Sequence, residues 1–276
     1  MEYIAATMRG HGRWSSMDAM QAGDADFLTA SAPAPADAGA PAPVVSVRGL
    51  SKRYCEVIAV EELTFTLERG TITGFLGPNG AGKTTTLRLL LGLAEPTAGE
   101  AFVFGQRYRE LEDPLCKVGA VLESGDFDPG RSGRNHLRAI ALASGIAYER
   151  VQELLELVEL QRAGDRPVRT YSLGMRQRLG LATALLGDPE LLLLDEPANG
   201  LDPAGIAWLR GFLHRLASDG RTVLVSSHVL AEVAQTVQRA MIISGGRLAG
   251  TLELDELEDG ARSLEAAYLE LTEALS

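Results

Sequence analysis

The chain has 276 residues, of which 46% are hydrophobic and 23% are charged, a balance typical of a globular protein with a sizeable core. Its net charge of −11 argues against a nucleic-acid partner, because binding a phosphate backbone requires clustered Lys and Arg side chains. The sequence has no apolar run of about 18 residues, and Cys55 and Cys116 fit neither a metal-binding nor a redox spacing. We therefore expect a chain that does not cross a membrane by itself and keeps its thiols reduced.

Residues 1–43 differ in composition from the rest of the chain. Residues 30–43 mix small residues with proline, which prevents helix formation and leaves little with which to build a core. We predict a disordered or polyproline II-like tail. A docking peptide and a later start codon, at Met17 or Met20, are alternative explanations of this segment.

Two strands are predicted before the first motif. Val44–Val47 and Leu63–Leu67 have the alternating or β-branched and aromatic content of strands, and Arg69–Gly70 forms a turn into the strand that follows. Tyr54 lies between these strands. It is either a simple edge aromatic or a platform on which adenine stacks, and its place upstream of the next motif favours stacking.

A glycine-rich stretch between an apolar strand, 71–76, and a helix-prone segment, 87–91, is the strongest motif. Gly77, Gly82, Lys83 and Thr84 fit the pattern G-x-x-x-x-G-K-[ST], in which backbone N–H groups surround phosphate oxygens. We expect Lys83 to reach the β- and γ-phosphates of a nucleoside triphosphate and the Thr84 hydroxyl to bind Mg²⁺. The predicted phosphate loop consists of Gly77, Pro78, Asn79, Gly80, Ala81, Gly82, Lys83, Thr84 and Thr85.

The segment from about 125 to 180 is predicted to be mostly helical. It follows a buried strand, 118–122, that ends at Glu123, and then a Gly- and Asp-rich loop. Apolar residues recur at helical spacing in three segments, which are 135–144, 148–160 and about 174–186.

Two acidic residues directly follow the next buried strand. Leu191–Leu194 is too short for a membrane helix and fits a parallel strand buried on both faces, and Asp195 and Glu196 follow it directly. Ligands bind at the carboxyl ends of such strands, so we expect Asp195 to hold Mg²⁺ through water and Glu196 to polarise an attacking water. A further strand, 222–227, ends at His228.

The C-terminal region is predicted to contain a hairpin and a helix. The hairpin spans 241–249, with Gly245 and Gly246 at its turn, and an acidic stretch from about Leu252 onwards should form a solvated helix.

The order of these elements resembles that of the ATP-binding subunits of ABC transporters, from about Val44 to the C-terminus. Besides the phosphate loop and the acidic pair, the resemblance depends on Tyr171–Arg178, on Asn199–Asp202 and on His228. It implies an α/β fold with a P-loop NTPase core, a mostly parallel sheet, an N-terminal antiparallel β-subdomain and a helical signature subdomain. The implied parts are an ATP-binding domain at 44–255, its helical subdomain at about 125–180 and an acidic helical extension at 256–276.

The resemblance also implies roles for individual residues. Ser172 and Gly174 would form the signature motif, which binds ATP held by the partner subunit. Asp202 belongs to a segment similar to the D-loop, His228 would be the switch histidine, and Tyr54 would stack on adenine. Taken alone, His228 would instead be interpreted as a structural histidine at a strand end.

Two features differ from the family's usual pattern. The signature usually reads Leu-Ser-Gly-Gly-Gln, whereas Tyr171, Leu173 and Met175 replace three of its residues here. Glu123 stands where the family has the glutamine of its Q-loop, and a carboxylate can still bind Mg²⁺ or its water, although it cannot donate a hydrogen bond when ionised. Both differences resemble the bacitracin- and lantibiotic-type multidrug export branch.

The resemblance implies an ATPase that uses ATP and Mg²⁺, forms a homodimer and drives a separate membrane-spanning partner from the cytoplasmic face of the membrane. The substrate would be an antibiotic, a peptide or a drug-like molecule. One alternative is a soluble ATPase of the same type that acts outside transport, although such proteins usually carry two cassettes or a long coiled-coil insertion. The other is a non-catalytic ATP-binding regulator, against which Glu196 and His228 argue.

Overall fold

The computed structural model describes residues 42–122, 127–254 and 261–273. The predicted tail, apart from residues 42 and 43, and Glu123 therefore lie outside the described residues. Within those three ranges, no helix is long and apolar enough to cross a bilayer.

Two sheets and a set of helices make up the described part of the chain. The strands are β1 (Val45–Tyr54), β2 (Val57–Leu67), β3 (Ile72–Leu76), β4 (Ala98–Val103), β5 (Val118–Val121), β6 (Leu191–Leu194), β7 (Thr222–Ser227), β8 (Arg239–Ser244) and β9 (Arg247–Glu253). The α-helices are α1 (Lys83–Leu90), α2 (Pro114–Lys117), α3 (Gly133–Ala143), α4 (Glu149–Leu157), α5 (Leu173–Ala184), α6 (Pro203–Ser218), α7 (Leu230–Val233) and α8 (Ala261–Glu273).

The larger sheet is mostly parallel, as predicted. Its order is β5-β6-β7-β3-β8-β9, in which every neighbouring pair is parallel except β8 and β9. The register places Leu76 beside Ser227 and Leu194 beside Val225, so β3, β6 and β7 end at the same edge of the sheet. This edge therefore collects the phosphate loop, the acidic pair and His228.

The four consecutive leucines of β6 are explained by burial on both faces of the sheet. Leu192 and Leu194 belong to an apolar cluster that includes α3, α4, α5 and α6, whereas Leu191 and Leu193 belong to a second cluster on the opposite face. The second cluster joins the parallel sheet to α1 and to a smaller antiparallel sheet of order β2-β1-β4. The predicted N-terminal antiparallel part is thus confirmed.

Three helices in the region 125–180 pack on one another and on the parallel sheet. α3, α4 and α5 contribute buried apolar residues to a single cluster, and α5 also packs on β5. The contact between α5 and β5 is close, because a Cβ at Gly119 would lie 2.2 Å from the carbonyl oxygen of Ala184. The predicted helix limits differ from the observed ones by a few residues.

The C-terminal helix α8 is packed on one face, so the expectation of a solvated helix is wrong there. Leu264 is fully buried, and Tyr268 and Leu271 pack against the same cluster. A Cβ at Gly250 would lie 2.8 Å from Leu271 Cδ1, so the helix covers β9 directly. These three residues recur at helical spacing among acidic neighbours, and the acidic composition of the segment concealed this apolar stripe.

Two glycine substitutions, which should change the free energy of unfolding in opposite directions, test this packing. Gly119→Ala should lower the free energy of unfolding by about 1–3 kcal/mol, because the new methyl group would overlap the Ala184 carbonyl. Gly211→Ala, within α6, meets no atom within 4 Å and should raise stability by about 0.5–1 kcal/mol through helix propensity. Urea-induced unfolding measures both effects, and a neutral Gly119→Ala would contradict the close α5–β5 contact.

Candidate active site

The phosphate loop has a shape that three glycines make possible. Gly80 and Gly82 have φ angles of 82° and 102°, in the left-handed region that other residues seldom adopt. A Cβ at Gly77 would lie 2.4 Å from the Ile243 carbonyl oxygen, and one at Gly82 would lie 2.3 Å from that of Ala59. The loop is therefore held closely between the end of β8 and the β1–β2 hairpin.

The start of α1 fits an anionic group. Gly82 is the N-cap residue and supplies no side-chain cap, so helix geometry leaves the N–H groups of Lys83, Thr84 and Thr85 without intrahelical acceptors. The Lys83 side chain is only 6% exposed, and its ammonium group donates to the carbonyl oxygens of Gly77 (2.7 Å) and Pro78 (3.2 Å). This combination of free N–H groups, helix dipole and ammonium suits phosphate oxygens.

Asp195 is a buried carboxylate that two hydroxyl groups satisfy. Thr84 Oγ1 donates to Asp195 Oδ2 at 2.6 Å, and Ser226 Oγ donates to Asp195 Oδ1 at 2.5 Å. The described residues hold no group of three or more His, Cys, Asp or Glu side chains that would bind a metal alone. A carboxylate beside a threonine hydroxyl instead suits Mg²⁺, which commonly takes one or two protein ligands together with substrate phosphates.

Glu196 is fixed by three contacts. Its φ angle of 47° is in the left-handed region, and its backbone N–H donates to Ser226 Oγ at 2.9 Å. Its carboxylate lies 2.7 Å from His228 Nδ1 and 3.2 Å from Lys83 Nζ. The side chain is therefore held between the phosphate loop and the residue after β7.

Ser226 lies within the site and Glu232 is electrostatically coupled to it, and the sequence predicted neither. Ser226 links Asp195 to the backbone of Glu196, and the signal for it was a hydroxyl residue at the end of a buried strand, just before His228. Glu232 follows on α7, and burial raises the pKa of its carboxyl group; the negative charge of Glu196 raises this pKa further, while His228 opposes the shift.

The predicted signature residues lie at the start of α5. Ser172 is its N-cap residue and accepts a hydrogen bond from the Met175 N–H at 3.2 Å. Within the described residues, no hydrogen bond joins Ser172 or Gly174 to the phosphate loop of the same chain. Gly174 instead lies next to the predicted D-loop, since a Cβ there would be 3.6 Å from Leu201 Cδ2.

The unusual signature residues have distinct surroundings. Tyr171 is buried, and its hydroxyl donates to the Ala163 carbonyl oxygen at 2.7 Å. Met175 packs against the core, whereas Leu173 remains 37% exposed.

Two other predicted residues lie around these groups. Tyr54 is 45% exposed at the end of β1, with Lys52 Nζ lying 4.9 Å from its ring centroid. Asp202 caps α6, since its carboxylate accepts a hydrogen bond from the Gly205 N–H at 2.7 Å. The structure thus places Tyr54 on the hairpin that contacts the phosphate loop, and Asp202 directly after Leu201, which lies next to the start of α5.

Comparisons with known proteins agree with this arrangement. The family model described as ABC transporter matches residues 60–199. The bacitracin transport ATP-binding protein BcrA of Bacillus licheniformis is 41% identical over 230 residues, which cover 82% of this chain and 74% of that protein. The lantibiotic transport ATP-binding protein SrtF of Streptococcus pyogenes is 32% identical over 225 residues, which cover 82% of this chain and 96% of that protein.

Solved structures share the same fold. An ATP-binding subunit of an ABC transporter has a TM-score of 0.73 at 30% identity, covering 83% of this chain and 99% of that one. A dimeric ATP-binding cassette bound to ADP and Pi has a TM-score of 0.69 at 23% identity, covering 76% and 98%, and supports the fold alone. The chain belongs to the ABC transporter family, as an ATP-binding domain.

Proposed function

We propose that this chain is the ATP-hydrolysing subunit of an ABC exporter and drives a separate membrane-spanning partner. The observation that carries the proposal is the convergence of Lys83, the Thr84–Asp195 pair and the Glu196–His228 pair on one sheet edge beside the phosphate loop. The names of the bacitracin and lantibiotic relatives support a substrate of antibiotic or peptide type. The partner would hold the chain at the cytoplasmic face of the membrane.

Nucleotide binding is assigned to the loop and the start of α1. The free N–H groups of the first helical turn and the Lys83 ammonium bind the β- and γ-phosphates of ATP, and the exposed ring of Tyr54 stacks on adenine. Thr84 and Asp195 would hold Mg²⁺, which neutralises negative charge on the phosphates when it is bound. The assignment of Glu123 to Mg²⁺ or its water depends only on its position after β5.

Hydrolysis is assigned to Glu196 with His228. The Glu196 carboxylate accepts a proton from the water that attacks the γ-phosphorus, while the bond from that phosphorus to the β-phosphate oxygen breaks. The hydrogen bond between Glu196 and His228 orients the carboxylate, and the Ser226 hydroxyl fixes the backbone of Glu196. Positioning of this kind is the main contribution that a protein makes to phosphoryl transfer.

A homodimer completes each site. Ser172 and Gly174 start a helix whose free N–H groups suit a phosphate, and Gly174 lies next to Leu201 of the D-loop segment in its own chain. We infer that each ATP lies between Lys83 of one subunit and the start of α5 of the other, with Asp202 beside this interface. The net charge of −11 remains an argument against a nucleic-acid partner.

Substitution of Glu196 separates ATP binding from hydrolysis. Glu196→Gln keeps the shape of the side chain and removes the proton acceptor, so turnover should fall by roughly 10²-fold or more while ATP still binds. Lys83→Ala is the matched control and should lose tight ATP binding, because it removes the ammonium group that contacts the phosphates. Calorimetry with Mg-ATP and phosphate-release kinetics measure the two effects, and near-normal turnover in Glu196→Gln would contradict the assignment.

Substitution of Ser226 tests the residue that links both acids. Ser226→Ala leaves Asp195 Oδ1 and the Glu196 N–H without their shared partner, so the free energy of unfolding should fall by about 1–3 kcal/mol. Turnover should fall by about tenfold because Glu196 is then less well positioned. Ser227→Ala serves as control, since the Ser227 hydroxyl accepts a hydrogen bond from the nearby Val229 N–H at 3.0 Å rather than linking the two acids. Equal turnover in both variants would argue against the role of Ser226.

A mixed dimer tests the shared site. One subunit carries Lys83→Ala, and the other carries Ser172→Asp, which keeps an N-cap acceptor and adds a charge that repels phosphate. Each variant alone should be inactive, whereas the mixed dimer retains one site with an intact Lys83 and an intact Ser172. Single-turnover kinetics should therefore show recovered hydrolysis, and no recovery in verified mixed dimers would refute a shared site.

A further inference from the structure

Leu173 lies directly on a glycine of the D-loop segment within the same chain. Gly200 has a φ angle of 70°, and a Cβ there would lie 2.5 Å from Leu173 Cδ2. The reciprocal contact is made by Leu201, whose Cδ2 lies 3.6 Å from the position that a Cβ at Gly174 would take. The start of α5 and the turn 199–202 thus fit together through one leucine from each segment.

The turn 199–202 is hydrogen-bonded to the backbone of Glu196. The Asn199 N–H donates to the Glu196 carbonyl oxygen at 3.1 Å, and the Leu201 N–H donates to that of Ala198 at 3.1 Å. Only five residues lie between Glu196 and Asp202, the N-cap residue of α6, and these hydrogen bonds hold the short segment in one shape. A displacement of Leu173 would be passed to Glu196 through this turn.

We propose that Leu173 is a positioning residue: by packing on Gly200, it fixes the position of Glu196 of its own subunit relative to the start of α5. This inference rests on the proposed shared sites, in which the start of α5 contacts one ATP while Glu196 of the same subunit acts on the other. The contact between Leu173 and Gly200 then links the two ATP sites. The usual family signature has glycine at this position, so it lacks the side chain that makes this contact.

The mixed dimer described above can separate this role from a local effect on phosphate binding. In the subunit with Ser172→Asp, the start of α5 faces the site that lacks Lys83, while Glu196 serves the working site. In mixed dimers verified to remain assembled, Leu173→Ala placed in this subunit cannot act through phosphate contact at the working site, so the turn and Glu196 are the remaining route to a slower rate. The single-turnover rate should fall by about fivefold to tenfold, with ATP affinity changed by less than about twofold.

The matched control is Leu157→Ala in the same subunit, since Leu157 is a leucine of similar exposure, 42%, at the end of α4. It should leave the single-turnover rate unchanged. An unchanged rate with Leu173→Ala in the Ser172→Asp subunit would overturn the inference, even if the same substitution in the other subunit slowed hydrolysis. Complete inactivity of the parent mixed dimer would be a different failure, because it would remove the shared site and this inference together.

A second test uses the close contact itself. Gly200→Ala should reduce turnover strongly, since its methyl group would overlap Leu173. Adding Leu173→Ala removes the overlap, so the double variant should hydrolyse ATP faster than Gly200→Ala alone, up to the rate of Leu173→Ala. Equal rates for Gly200→Ala and the double variant, with both shown to be folded by thermal melting, would mean that backbone strain at Gly200 is the whole effect and would overturn the inference.

Discussion

The buried carboxylate of Asp195 is the constraint on which the rest of the site depends. A carboxylate that is 4% exposed is costly unless hydrogen bonds satisfy it, and here Thr84 from the phosphate-loop helix and Ser226 from β7 both donate to it. These bonds join three segments at one sheet edge. Ser226 also accepts from the Glu196 N–H, so the same network fixes the left-handed backbone at Glu196.

The fold allows this network because β3, β6 and β7 are neighbours in a parallel sheet and end together. Burial on both faces selects apolar residues along each strand, so polar groups are concentrated at the strand ends. Glu196 then lies between Lys83 and His228, where the ammonium group of the phosphate-loop lysine and the imidazole of the residue after β7 both contact one carboxylate. Positioning of this acid is the contribution that the proposed hydrolysis requires from the chain.

Much of this arrangement could be predicted from the sequence because its signals are local. The phosphate loop, the leucines of β6 and the acids after them each occupy a few consecutive residues, and their order indicated the family. Ser226 contacts Asp195, 31 positions away, and Leu173 contacts Gly200, 27 positions away, and no local pattern identifies such partners. The buried face of α8 was missed because the acidic composition of this segment suggested a helix exposed to solvent.

A crystal structure of the Glu196→Gln variant with Mg-ATP would test the central claim most directly. The account predicts a dimer in which Lys83 contacts the β- and γ-phosphates, Thr84 and Asp195 lie around Mg²⁺, and Ser226 still donates to Asp195. It also predicts that Ser172 and Gly174 of the second subunit contact the γ-phosphate. A structure with ATP bound entirely within one subunit, or with Asp195 turned away from both Ser226 and the metal, would contradict it.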